Sequence, residues 1–439
     1  MKEHVTIGVA CLARKTFDFD AAREIYQHIQ EDLQRIENVT FEFIPELVFE
    51  VPDAEQAGQE FATKDLDGIV LIAGTFHLGH LALVINKIVK KPILLWGLNE
   101  LPYNGGKIRL NSVCGINLDA SNLYKGGVKD YHVVIGASID EAWIDALRVK
   151  HAFSKANIGI AGYRAHGFFN LDIDEPDLYR ATGAMVDHFE LAEIFDIEVT
   201  TERVAAMREK IEATFTISAL SEEQIDKVSI LAAKLEAFVA KNKLTALAIR
   251  CWPEFAATFG IAPCAAMSLL QAGGTILACE GDILGALSML AHVAIGAETP
   301  FLADFSQVNL EENFALLWHC GVAPCNLWNG ACEISLETYH AGGKGVTADF
   351  VLKAGEMSIA RIDYCQDGYR LFLQEAKAIP MDKELKGTYA KVVFDGSSVR
   401  DVLDKIVMNG IAHHVSVVYG KFIKPLEILA RLLGWTVIK

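Results

Sequence analysis

The chain has no CxxC pair among its nine cysteines, no run of about 18 consecutive apolar residues and no block of basic residues. The first absence argues against a zinc knuckle. The odd cysteine count, with Cys11, Cys114, Cys251, Cys279 and Cys320 set in apolar runs, points to a reducing cytoplasm. Without a long apolar run no membrane-spanning helix is expected. A net charge of −17 with the two signs interspersed argues against nucleic acid as a partner. The opening MKEHVTIGVACLA holds a run too short for a signal peptide and alternates like a first strand.

What is present is a globular chain. Its 439 residues, 51% hydrophobic and 22% charged, suit about three domains of roughly 150 residues each. From residue 5 to about 150, β-branched runs such as VTIGVACLA and GIVLIAG alternate with amphipathic helical stretches, the beat of a doubly wound parallel sheet. Ligands approach such sheets at the carboxyl ends of the strands. Two loops lie there, Ala13-Arg14-Lys15 after the first strand and Gly74 to His80 after the third. His77 and His80, three apart, are read as a loop entering a helix, with one histidine as a polar cap, rather than as a metal pair. A second β-α series starts near NIGIAG at Ala156. It runs through the helix Glu222 to Lys241, capped by Ser221, then LTALAIRCW, TILAC and the helix Leu284 to Ile295.

After about Phe301 the pattern changes to short alternating strands, with hairpin-like turns at Ala354-Gly355-Glu356 and Gln366-Asp367-Gly368. A β-α unit returns at the end, where His413-His414-Val415 opens a strand. The domain boundaries expected are 1–153, 154–298 carrying Glu280, and 299–439 carrying Asp304 and His414.

The stretch from Ala278 to Pro324 gathers the chemistry. Glu280 follows the apolar TILAC, Asp304 lies inside FLADF, and His319 ends ALLWHCG. A carboxylate ending a buried strand is costly unless a cation meets it, and a shared divalent metal is the simplest such cation. Glu280 and Asp304 are 24 residues apart, the spacing of adjacent strand ends in a β-α-β unit. On chemistry alone, a helix-cap or first-turn role for each carboxylate is as well supported as a ligand role. Asp282 is the better N-cap, which leaves Glu280 without a structural duty. Strand alternation sends the rings of His413 and His414 to opposite faces, so one of them points into a given site.

Glu280-Gly281-Asp282, Asp304, Trp318-His319-Cys320-Gly321 and His413-His414-Val415 with Tyr419-Gly420 together resemble the L-fucose isomerase and L-arabinose isomerase superfamily. The resemblance covers most of the chain and is strongest from Leu244 to Pro324, where AIRCWPEF and GIAPCAAMSLL add to it. It implies an α/β protein with two doubly wound parallel-sheet (Rossmann-like) domains and a C-terminal β-rich domain. The implied activity is metal-dependent aldose–ketose isomerisation of a free fucose- or arabinose-like sugar through a cis-enediolate. Carried over by position, Glu280 and Asp304 match the metal-binding and catalytic carboxylates, and His414, in register with Gly420, matches the histidine ligand. His319 is a second-tier site residue. The implied cofactor is Mn²⁺, with Mg²⁺ as its substitute, since carboxylate and imidazole ligands suit these ions. The resemblance also implies a homo-oligomer, a trimer or hexamer, with sites at subunit interfaces, and it places Phe76 on a loop that a neighbouring subunit brings to the site. Further substrate-binding candidates are Arg14, His77, Arg250 and Trp252. Two alternatives stand beside the main reading. Arg14 and Arg250 motivate an anionic substrate, a sulfonated or phosphorylated aldose, and the doubly wound architecture by itself also suits a non-catalytic sugar-binding module.

Overall fold

The computed structural model describes residues 2–103, 105–339 and 343–439. The backbone forms two compact units, 2–151 with 424–436 and 152–423 with 437–439. The chain is α/β, with two parallel sheets and one large mixed sheet.

In the first unit, β1 (Val5–Leu12), β2 (Val39–Phe43), β3 (Gly68–Ala73), β4 (Ile93–Gly97) and β5 (Tyr131–Ile135) form a parallel sheet in the order β2-β1-β3-β4-β5. β3 and β4 are buried throughout and β1 nearly so, which is why they read as continuous apolar runs: helices cover both faces of the sheet. The helix Phe19–Leu33 shows the matching pattern. Ala22, Tyr26, Ile29 and Leu33 recur every three to four residues and are its buried face, and Asp18 caps its first turn through the Ala21 amide.

The second unit holds the other two sheets. β6 (Asn157–Ala161), β7 (Met185–Phe189), β8 (Ala246–Ile249) and β9 (Ile276–Cys279) are parallel, in the order β7-β6-β8-β9. The large sheet contains β10 (Phe301–Asn309), β11 (Phe314–His319), β12 (Ser335–Glu337), β13 (Thr347–Val351), β14 (Gly355–Cys365), β15 (Gly368–Ile379), β16 (Thr388–Val393), β17 (His414–Tyr419) and β18 (Thr436–Ile438). Because β15 also pairs with β16, the strands β16, β11, β10, β17, β14 and β15 close into a ring. Closure removes the free edges that six such strands would otherwise present. Alternation along the ring sends Phe301, Ala303, Val415 and Val417 to one shared core. Leu302, Asp304, His414 and Ser416 stand on the opposite face, paired as Leu302 with Ser416 and Asp304 with His414.

Two expectations are corrected by this topology. The turn at Ala354-Gly355-Glu356 closes no hairpin: β13 pairs with β12 and β16, and β14 with β15 and β17. The turn at Gln366-Asp367 does join a hairpin, with Cys365 opposite Gly368. Glu280 and Asp304 do not end neighbouring strands of one β-α-β unit. β9 belongs to the parallel sheet and β10 to the mixed one, and the helix Ile283–Ala294 carries the chain between the two.

Candidate active site

The site is built where two sheets of the second unit meet. In the parallel sheet the strand order reverses direction between β6 and β8, and the loops after β6, β8 and β9 leave from the same carboxyl edge. The last of these loops is a tight turn in which both Glu280 (φ 65°) and Gly281 (φ 76°) are left-handed. A glutamate in that region costs about 1–3 kcal/mol, so the surroundings must hold it there. The loop after β6 does so. The Ala165 amide donates to the Glu280 carbonyl at 2.9 Å, and a Cβ on Gly281 would lie 2.5 Å from the Tyr163 carbonyl oxygen and 2.6 Å from Arg164 Cα. Gly281→Ala is therefore expected to lower stability by about 1–3 kcal/mol, read from the urea midpoint, and to reduce activity by displacing Glu280.

The turn aims the Glu280 carboxylate at the start of β17. Oε1 accepts from Trp252 Nε1 at 3.2 Å, and Oε2 lies 3.1 Å from His413 Nε2 and 3.3 Å from His414 Nε2. Asn170 donates to His413 Nδ1 at 3.2 Å, so His413 carries its proton on Nε2 and donates it to Glu280. Both histidines thus reach Glu280, against the expectation that alternation would separate them. His413 precedes β17, which begins at His414, and the strand rule does not govern it.

His414 is fully buried and held from behind. Its Nδ1 lies 2.8 Å from Asp282 Oδ2, and that same oxygen accepts from Arg361 Nη1 at 2.5 Å. Asp282 Oδ1 caps the helix Ile283–Ala294 through the Gly285 amide at 2.8 Å. Asp282 is therefore the expected N-cap and has a second duty. It fixes the tautomer of His414 and leaves Nε2 toward Glu280 and Asp304. Asp282 and Arg361 were not among the candidate site residues. The available signal was Arg361 itself, a charge inside the apolar strand MSIARIDYC that demands a buried counter-ion.

Asp304 reaches the same point from its own strand. Its register partner on β17 is His414, and its Oδ1 lies 3.6 Å from His414 Nε2. His319, at the end of β11, forms a group with Asp304 and His414 in which one ligand atom of each lies within 4.8 Å of the others; Glu280, His413 and His414 form a second such group. His414 belongs to both. Asp304 Oδ1, His414 Nε2 and His319 Nε2 are buried and make no hydrogen bond among the described residues. His319 Nδ1 accepts the Cys320 amide at 2.9 Å, which in the neutral ring places the proton on Nε2.

The electrostatics follow from these contacts. Burial works to raise the Glu280 pKa, but the imidazoles of His413 and His414 outweigh it and hold the carboxyl well below the usual range. Burial likewise works against ionised Asp282, and the Arg361 charge and His414 overcome it. For His414, burial disfavours the cation, but Asp282 and Glu280 push its pKa up to about 10. An anionic frame around one imidazole is an arrangement that attracts a cation.

Glu280, Asp304, Trp252 and His319 line one cavity of about 720 Å³. Its walls are largely small and apolar, including Pro253, Ala256, Ala257 and Ala262. Arg250 is not among its lining residues. Its guanidinium is engaged by Glu254, at 2.8 Å from Nη2 and 3.2 Å from Nε. Arg14, Phe76 and His77 belong to the other compact unit, at the carboxyl edge of β1 and β3, where the order of that sheet reverses. There the exposed Arg14 guanidinium lies 6.0 Å from the Phe76 ring centroid. His77 is fully buried, with its ring nitrogens 2.9 Å from the Thr75 carbonyl and 2.8 Å from Asp119. It is a core ion pair rather than a helix cap, since Gly79 occupies the cap of the helix His80–Val89.

Residues 8–140 match the family model for the N-terminal domain of fucose/sulfoquinovose isomerase. The chain is 28% identical over 444 residues to a sulfoquinovose isomerase of Priestia aryabhattai, covering 98% of each chain. It is 28% identical over 445 residues to a sulfoquinovose isomerase of Alkalicoccus urumqiensis, covering 99% of each. A sulfoquinovose isomerase of Clostridium sp. (strain MSTE9) matches at 28% over 355 residues, 78% of this chain and 79% of that one. A match to the N-terminal-domain model over residues 8–140, together with likeness along the whole chain, makes this protein similar to the fucose/sulfoquinovose isomerases.

Proposed function

We propose that the protein is a metal-dependent aldose–ketose isomerase whose substrate is a sulfonated aldose of the sulfoquinovose type. The observation that carries the reaction is the convergence on His414 Nε2 of Glu280 and Asp304, two carboxylates that line one cavity. The observation that favours a sulfonated sugar over a neutral fucose- or arabinose-like one is the full-length likeness to sulfoquinovose isomerases.

The donor set fits a hard divalent ion such as Mn²⁺ or Mg²⁺. Two carboxylates and one imidazole face each other, and two of the facing atoms, Asp304 Oδ1 and His414 Nε2, are buried without a hydrogen bond among the described residues. Glu280, Asp304 and His414 would hold the ion. When bound, it supplies positive charge for the oxygen anion that develops as the carbonyl moves between C1 and C2.

The chain supplies the rest. A carboxylate of the Glu280 and Asp304 pair takes the proton from C2 of the open-chain aldose and returns it to C1, while a proton passes from O2 to O1. Trp252 and His413 fix the Glu280 carboxylate by donating to its two oxygens, so it keeps one geometry through the transfer. Asp282 keeps Nε2 of His414 toward Glu280 and Asp304. The apolar wall of Pro253, Ala256 and Ala257 limits water around the reacting carbons.

The test is ketose formation from a panel of sulfonated, phosphorylated and neutral aldoses, with Mn²⁺ supplied and after chelation. The expected result is turnover of the sulfonated aldose that is lost on chelation and restored by Mn²⁺. Undiminished turnover after exhaustive chelation would remove the metal from this reading, and turnover of neutral aldoses alone would remove the sulfonate.

A further inference from the structure

We infer that Lys344 is the residue that selects the anionic end of the substrate. The inference rests on the reaction proposed above and names the group that makes its site specific for a sulfonate. The cavity that contains Glu280 and Asp304 is acidic at its reacting end, in a chain of net charge −17. A sugar carrying a permanent negative charge is repelled by such a pocket unless a cation meets its far end. Among the described lining residues, Lys344 is the one lysine or arginine.

Its placement suits the task. The backbone around Lys344 is tied down at three points. The Ala262 amide donates to the Lys344 carbonyl at 3.0 Å, the Ala265 amide donates to the Val346 carbonyl at 3.0 Å, and Gln224 Nε2 donates to the Gly343 carbonyl at 3.3 Å. The side chain, by contrast, is exposed, and it takes part in no salt bridge among the described residues. Nearby lysines of the same module differ: Lys383 and Lys386 are bound to Asp349, and Lys386 also to Glu337. Arg250 is spoken for by Glu254. An ammonium without a salt-bridge partner among the described residues, on an anchored turn at the wall of a cavity that also holds the carboxylates of Glu280 and Asp304, matches a ligand with carbonyl chemistry at one end and a sulfonate at the other. The ammonium offers up to three N–H donors to sulfonate oxygens.

Two measurements test this. The first is kcat/KM for the sulfonated aldose and for its neutral parent hexose. Lys344→Ala is expected to lower the ratio of the two roughly 10- to 100-fold, the worth of a charge-assisted hydrogen bond, through KM rather than kcat. Lys344→Arg should restore most of it, and Lys344→Glu should lower it further. An equal loss on both sugars, or none on the sulfonated one, would overturn the assignment. The second is calorimetric binding of a sulfonated alditol, which has no carbonyl and cannot react. If the protein binds the alditol, loses affinity in Lys344→Ala and yet isomerises no sulfonated aldose, the reaction fails while the anion site stands. If wild type and Lys344→Ala bind the alditol equally, the anion site fails whatever the reaction.

Discussion

Glu280→Gln is expected to lower turnover of the sulfonated aldose by about 10²- to 10⁴-fold while leaving the fold intact, the range over which a positioned acid–base group acts. The substitution is close to isosteric, so Oε1 can still accept from Trp252. What disappears is the negative charge that His413 and His414 face at 3.1 and 3.3 Å. An amide nitrogen placed against the His413 Nε2 proton sets two donors against each other, so the side chain also loses its fixed direction. Stability should move little, because His414 keeps its stronger partner in Asp282 at 2.8 Å. The measurements are the isomerase assay, the metal content of the purified protein and the urea midpoint. Wild-type turnover with wild-type metal content would refute the role given to Glu280. A collapse of the urea midpoint would show instead that the residue is structural.

The sheets were legible because parallel strands buried on both faces must be apolar throughout, and β1, β3 and β4 are. Glu280 was legible for a related reason: a carboxylate directly after the buried TILAC has no solvent to justify it. What could not be read was which sheet each strand joins. The spacing between Glu280 and Asp304 suits neighbouring parallel strands equally well, and it is the pairing of β10 with β11 and β17 that places it in the other sheet. Register carries the same lesson at smaller scale. Asp304 meets His414 because β10 and β17 pair antiparallel with these two residues opposite each other, a long-range choice that no local pattern encodes. His413 was assigned by strand alternation, one residue before the strand begins.

Arg361→Met is expected to destabilise the protein by about 3–5 kcal/mol, the cost of stripping one partner from a buried ion pair. Arg361 and Asp282 are both 0% exposed. Arg361 Nε and Nη2 make no hydrogen bonds among the described residues, so the contact to Asp282 is the salt bridge that compensates the buried guanidinium. Without it, Asp282 remains ionised against His414 alone. The damage should therefore be relieved by Arg361→Met combined with Asp282→Asn, because asparagine still caps the helix Ile283–Ala294 and needs no counter-charge. The pH dependence gives a second readout. The folded pKa of Asp282 is depressed, so the unfolded chain takes up its proton first on acidification. The stability this contributes is present above the ordinary carboxylate value and is lost as pH falls toward the folded one. Arg361→Met removes the principal charge behind that depression, so stability of the variant should fall less steeply with acid than that of the wild type. Metal-free protein is the form to compare, by urea unfolding from neutral pH downward. Parallel stability curves, or a double variant no more stable than Arg361→Met alone, would mean that the buried pair does not hold His414 in the way its geometry indicates.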